Sequence, residues 1–132
     1  MASTPNFASA ARLAVASVST ANTARDGTGT IATVITGVAA GTRIERIVAK
    51  ATGDPADSVL NIFLHDGTTA WLWDEIDIGN PAAASTTLEG WRMEKAYSNL
   101  ILPSASWSLR AAIPVALTAG VINVFAHGAD LT

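Results

Sequence analysis

The chain has 132 residues, no cysteine and a formal net charge of −3. That length suits one domain, which buries about two thirds of its unfolded surface without covalent staples, and the missing thiols exclude disulfides and thiolate metal sites. Only 14% of residues are charged, against about 25% in an average soluble domain.

Apolar residues reach 49%, many of them alanine. A small domain of this kind has few polar side chains with which to cover itself. Composition bias is one explanation; surface covered by partners is the sharper one. The basic residues are scattered, with no stripe to neutralise a phosphate backbone, so no direct nucleic-acid partner is expected. No apolar run approaches the ~20 residues of a membrane span, so no membrane partner is expected either. Met1 to Ala10 lacks a charged start and an apolar run, so no secretory signal is expected. The absence of cysteine suits folding in a reducing cytoplasm.

In chain order, residues 1–10 are small, polar and interrupted by Pro5. They read as an extended N-terminal arm ahead of a single β domain over 11–132, with Phe7 as the arm's anchor on a neighbouring subunit. Leu13 and Val15 alternate with small residues and predict a first strand. Ser19 to Gly29 is a loop dense in Ser, Thr, Asn, Asp and Gly. Thr30 to Thr36 reads as a second strand. Thr42 to Thr52 is bracketed by Gly41 and Gly53, and its apolar period slips between Ile44 and Ile47. A strand with a bulge fits that slip; a short helix fits it second. Val59 to His65 and Ala70 to Ile78 flank Asp66-Gly67-Thr68, a strong hairpin signal. Leu88 to Tyr97 alternates as a strand, with Trp91, Met93 and Lys95 on one face; Leu100 to Leu102 is apolar and stops at Pro103. Trp107 to Ile113 and Val121 to Ala126 supply two more. About eight short strands with turn chemistry between them predict an all-β fold, an antiparallel jelly-roll-like sandwich or barrel.

Catalytic motifs are scarce. His65 and His127 each end an expected strand, and no Gly-x-Ser-x-Gly elbow accompanies them. Asp74, Glu75 and Asp77 form an acidic group in which Glu75 and Asp77 share a strand face and Asp74 takes the other. The loop spacing of a calcium-binding EF-hand is missing, and charges on an edge strand also discourage stray pairing. Asp26-Gly27-Thr28-Gly29-Thr30 lacks the Lys-Ser/Thr of a phosphate loop. No catalytic residue, cofactor or metal is therefore expected. Four tryptophans, Trp71, Trp73, Trp91 and Trp107, are many for this length, and Trp71 and Trp73 fall on one strand face. They are candidates for core, for a sugar-stacking platform, or for interface anchors.

Several segments resemble a family of small structural proteins of tailed bacteriophages. They are Ser19-Thr20-Ala21-Asn22-Thr23, Arg25-Asp26-Gly27-Thr28-Gly29-Thr30, Gly41-Thr42-Arg43-Ile44-Glu45-Arg46-Ile47, Lys50-Ala51-Thr52-Gly53, Asp66-Gly67-Thr68, Leu100-Ile101-Leu102-Pro103 and Ser108-Leu109-Arg110-Ala111. The resemblance implies a capsid cement or decoration protein, made in the host cytoplasm and placed in the virion as a dimer or trimer on an HK97-type shell of major capsid protein. A protein facing packaged DNA should be basic; the slight acidity here favours the outer surface of the capsid. The alternatives are another virion part (tail, neck or fibre base), a carbohydrate-binding jelly-roll module using Trp71 and Trp73, and, third, a hydrolase.

Overall fold

The computed structural model describes residues 8–132, and eight strands organise them: β1 (Ala8–Val18), β2 (Ala32–Thr36), β3 (Thr42–Ala51), β4 (Ser58–His65), β5 (Ala70–Gly79), β6 (Arg92–Leu102), β7 (Ser108–Ala112) and β8 (Ile122–Leu131). No helix occurs among the described residues. The strands form two four-stranded sheets, ordered β1-β8-β3-β6 and β2-β7-β4-β5, and every paired neighbour is antiparallel. This alternation of strands between two sheets is the double Greek key of a jelly roll. The inward faces meet in one apolar core: Ile44, Ile47 and Ala49 of β3, Ile122, Val124 and Ala126 of β8, Leu60 and Ile62 of β4, Leu109 and Ala111 of β7, and Ile76 and Ile78 of β5.

The slipped period of β3 has the expected cause. Ile44 pairs with Gly128 and Arg46 with His127, leaving Glu45 without an opposite residue. This bulge lets Ile44 and Ile47, three apart, both face the core, so the helical alternative falls away. The same interruption reaches β6, where Ile44 pairs with Leu100 and Arg46 with Ala96. Tyr97 to Asn99 loop out of the ladder there, and Asn99 takes φ 60°, a conformation that asparagine tolerates better than most. Leu88 to Tyr97 and Leu100 to Leu102 are consequently one interrupted strand that begins at Arg92. Asp66 caps the β4–β5 hairpin: its carboxylate accepts from the Thr68 and Thr69 amides at 2.9 and 2.7 Å, and Gly67 supplies φ 102°.

Three other boundaries move. Ala8 to Ala10 belong to β1, so the part of the expected arm that is described is strand; Phe7 and the rest of the arm lie outside the described residues. β8 runs on to Leu131, which puts His127 in mid-strand and not at an end. Trp107 and Ile113 flank β7 and lie outside it.

The two outward faces differ. Across the second sheet runs the β1–β2 connection. Ala21 bridges to Ile113, the Asn22 amide donates to the Ile113 carbonyl at 2.7 Å, and Arg25 pairs with Glu75. Inside that connection the Asn22 side chain donates to the carbonyls of Thr28 and Thr30, both at 2.9 Å. Beneath it Phe63 and Asn61, on the outward side of β4, are buried. Among the described residues no segment covers the first sheet in this way, and Leu13, Val15 and Ile101 stand exposed on it.

Candidate functional site

β5 and β6 are edge strands of different sheets on the same flank of the sandwich, and the aromatic residues gather where they meet. A second bulge aims them. Ile62 pairs with Asp74 and Phe63 with Leu72, so Trp73 is extra. Trp71, Trp73 and Asp74 consequently turn toward β6 and the gap between the sheets, while Glu75 and Asp77 keep to the opposite face. Trp71 stacks on Trp107 with ring centroids 5.9 Å apart and planes at 21°. Trp73 meets Tyr97 at 6.3 Å and 60°. Trp71 and Trp73 remain 49% and 47% exposed, whereas Trp107 and Tyr97 pack partly against the core. The result is a ledge of two half-exposed indoles braced from behind by two more deeply set rings.

A polar clasp holds the base of the ledge. Asp74 Oδ2 accepts from the Tyr97 hydroxyl at 2.9 Å and lies 2.7 Å from Lys95 Nζ. Burial opposes ionisation of Asp74, but the hydrogen bonds from Lys95, Tyr97 and the Glu75 amide, with the lysine charge, outweigh it and hold its pKa below the ordinary carboxylate value. Tyr97 shifts strongly the other way: burial first, then donation to Asp74 and the nearby negative charge, all disfavour its phenolate. Asp74 is thus ionised and Tyr97 protonated across the neutral range, and the clasp is a fixed brace.

The structure brings together three of the four tryptophans singled out in the sequence. Trp91 stands apart before β6, packed partly against the core and lining a cleft with Lys50, Pro81, Ala82 and Leu88. Tyr97 and Lys95 were missed as partners of the ledge. Their alternation along β6 was a signal, but which residue they would meet depended on β5 lying across the gap.

The acidic group disperses. Asp74 joins the clasp, Glu75 pairs with Arg25, and Asp77 accepts from the Gly79 amide at 3.1 Å. Among the described residues no three His, Cys, Asp or Glu side chains lie together as metal ligands. His65 accepts from the Gly67 amide at 3.0 Å within the hairpin turn. His127 sits on the other sheet, paired with Leu13 and Arg46. No protein-family model, no curated protein and no solved structure matches the chain.

Proposed function

We propose that this protein is a structural part of a tailed-bacteriophage particle, a cement or decoration protein on the outside of an HK97-type shell. Its partner there is the major capsid protein, with further copies of itself alongside. The observation that carries this reading is the ledge. Large, rigid, half-exposed aromatic rings held by a second layer are the side chains that dominate protein–protein binding when a partner covers them. The sequence resemblance names the partner, and the net charge of −3 suits an outer surface better than one facing DNA. A protein that binds only the assembled shell stabilises the shell by mass action.

The test uses shells assembled from the accompanying major capsid protein without this protein. Wild-type chain should bind them and raise the temperature at which they burst. The double variant Trp71→Ala, Trp73→Ala should keep the fold, because both rings are half exposed, and bind at least about ten-fold more weakly, as loss of an interface anchor does. Absence of wild-type binding, or unchanged binding by the variant, refutes the reading. Density for the protein at the tail or neck of native particles would move it to another virion part.

One observation favours a second reading. Trp73 lines a shallow cleft with Leu72, Asp74 and Glu75, and an exposed indole beside carboxylates is also suited to stacking on a sugar ring. Quenching or shifting of tryptophan emission by oligosaccharides, lost in Trp73→Ala, would favour the carbohydrate module over the capsid protein.

A further inference from the structure

We infer that two copies of the chain pair through the edge of β1 that no other described strand covers, antiparallel about a twofold axis at Ala14, joining two four-stranded sheets into one. An exposed edge strand is a template for another strand, and proteins block such edges with charge, short length or bulges. Three of the four edges here are blocked. β5 carries Asp74, Glu75 and Asp77 and the bulge at Trp73. β6 carries Arg92, Glu94 and Lys95 and breaks at Tyr97–Asn99. β2 is 5 residues long with an irregular register between Thr33 and Ile35. β1 has one irregularity, at its start between Ala8 and Ala10, and none of these devices beyond it. From Ala10 to Val18 its register against β8 is unbroken, and the stretch contains neither glycine nor proline. Its one charge, Arg12, turns inward, 2.8 Å from Asp130 Oδ1 and 3.1 Å from the Thr36 carbonyl. The chain's own carboxylate neutralises it, so it does not repel an incoming strand.

The occupant that fits is a second β1. Ala14 is the midpoint of the regular stretch, so a twofold axis there pairs all of Ala10 to Val18, with Arg12 opposite Ala16 and Leu13 opposite Val15. An axis at Arg12 would set guanidinium against guanidinium. Pairing about Ala14 keeps inward residues beside inward residues and outward beside outward, as the pleat requires. On the outward side, Leu13 and Val15, 65% and 53% exposed, join the same two residues of the other copy in one apolar row, continued by Phe125 and Val48. On the inward side, Ala14 and Ala16 are only partly buried against the core, and the second copy extends the layer over them. An isologous contact of this kind closes at two copies and leaves no further β1 edge.

This surface is separate from the tryptophan ledge, and its test reads mass, independently of capsid binding. Sedimentation of the full chain over a dilution series should show a monomer–dimer equilibrium. L13K/V15K puts lysine opposite lysine and should weaken the dimer at least ten-fold. L13K/V15E puts lysine opposite glutamate in this register alone and should recover most of that loss. A14C, the only cysteine in its chain, should form a disulfide dimer under mild oxidation, because directly opposed Cα atoms lie about 4.5–5.5 Å apart. A wild-type monomer or trimer overturns the proposal. So does an L13K/V15K chain that dimerises normally, an L13K/V15E chain as weak as it, or an A14C chain that stays monomeric.

Discussion

Tyr97 is the only tyrosine in the chain, so its ionisation can be followed by the near-ultraviolet absorbance of phenolate. Its pKa is raised above 10.0 by burial and by donation to Asp74. The stabilisation of the protonated form is complete below the unfolded pKa and is lost as pH rises through the folded one. No phenolate should therefore appear around pH 10 while the protein is folded, and absorbance should rise only together with alkaline unfolding. A simple titration near pH 10 would contradict the clasp. Asp74 has the opposite sign. Its lowered pKa contributes stability that is present above the unfolded carboxylate value and lost as pH falls through the folded one. Tyr97→Phe should cost about 1.5–3 kcal/mol, the scale of one hydrogen bond to a charged group, and loosen Trp73 by removing its anchored neighbour.

At the scale of elements, the β3 bulge governs three strands at once. It sends Ile44 and Ile47 to the core, interrupts β6 from Tyr97 to Asn99, and presses the backbone of β3 onto β8 at Gly128. A Cβ added at Gly128 would stand 2.0 Å from the Arg43 carbonyl oxygen and 3.0 Å from its carbon. Both are backbone atoms inside a paired sheet and have little room to yield. Gly128→Ala should therefore destabilise the domain by about 2–3 kcal/mol, the range of overpacking in a close-fitted interior, read as a lower midpoint in urea. A midpoint equal to wild type would mean that the bulge relaxes freely.

Across the whole molecule, the jelly roll joins the two ends of the chain. β1 pairs with β8 along Ala8 to Val18, and β8 separates β1 from β3 in the first sheet. Removing residues 122–132 deletes Ile122, Val124 and Ala126 from the core and leaves β1 with no neighbour in its sheet. The truncated chain should lose its cooperative thermal transition, where loss of a peripheral strand would only lower it. Pairing between such distant segments requires closing long loops before contacts repay them, which places folding in the millisecond-to-second range typical of all-β domains. Stopped-flow refolding measures this directly.

Period, turn residues and composition were enough to determine an all-β domain, the β4–β5 hairpin, the bulge in β3 and the opposed faces of Glu75 and Asp74. Each depends on neighbours within a few residues, where alternation and glycine act directly. The extent of β6 and β8 was not legible. Asn99 interrupts the first, and Gly128 and Asp130 dilute the apolar pattern of the second, so only pairing with β3 and β1 holds them extended. The site was half visible: Trp71 and Trp73 stood out by type and spacing. Tertiary structure alone decided that Trp107 would stack on Trp71, that Tyr97 would meet Trp73, that Lys95 would meet Asp74 beside them, and that Trp91 would not join. The Tyr97 and Lys95 contacts cross between sheets, the Trp107 contact joins distant segments of one sheet, and strand order, which no local pattern encodes, determines which edges face each other.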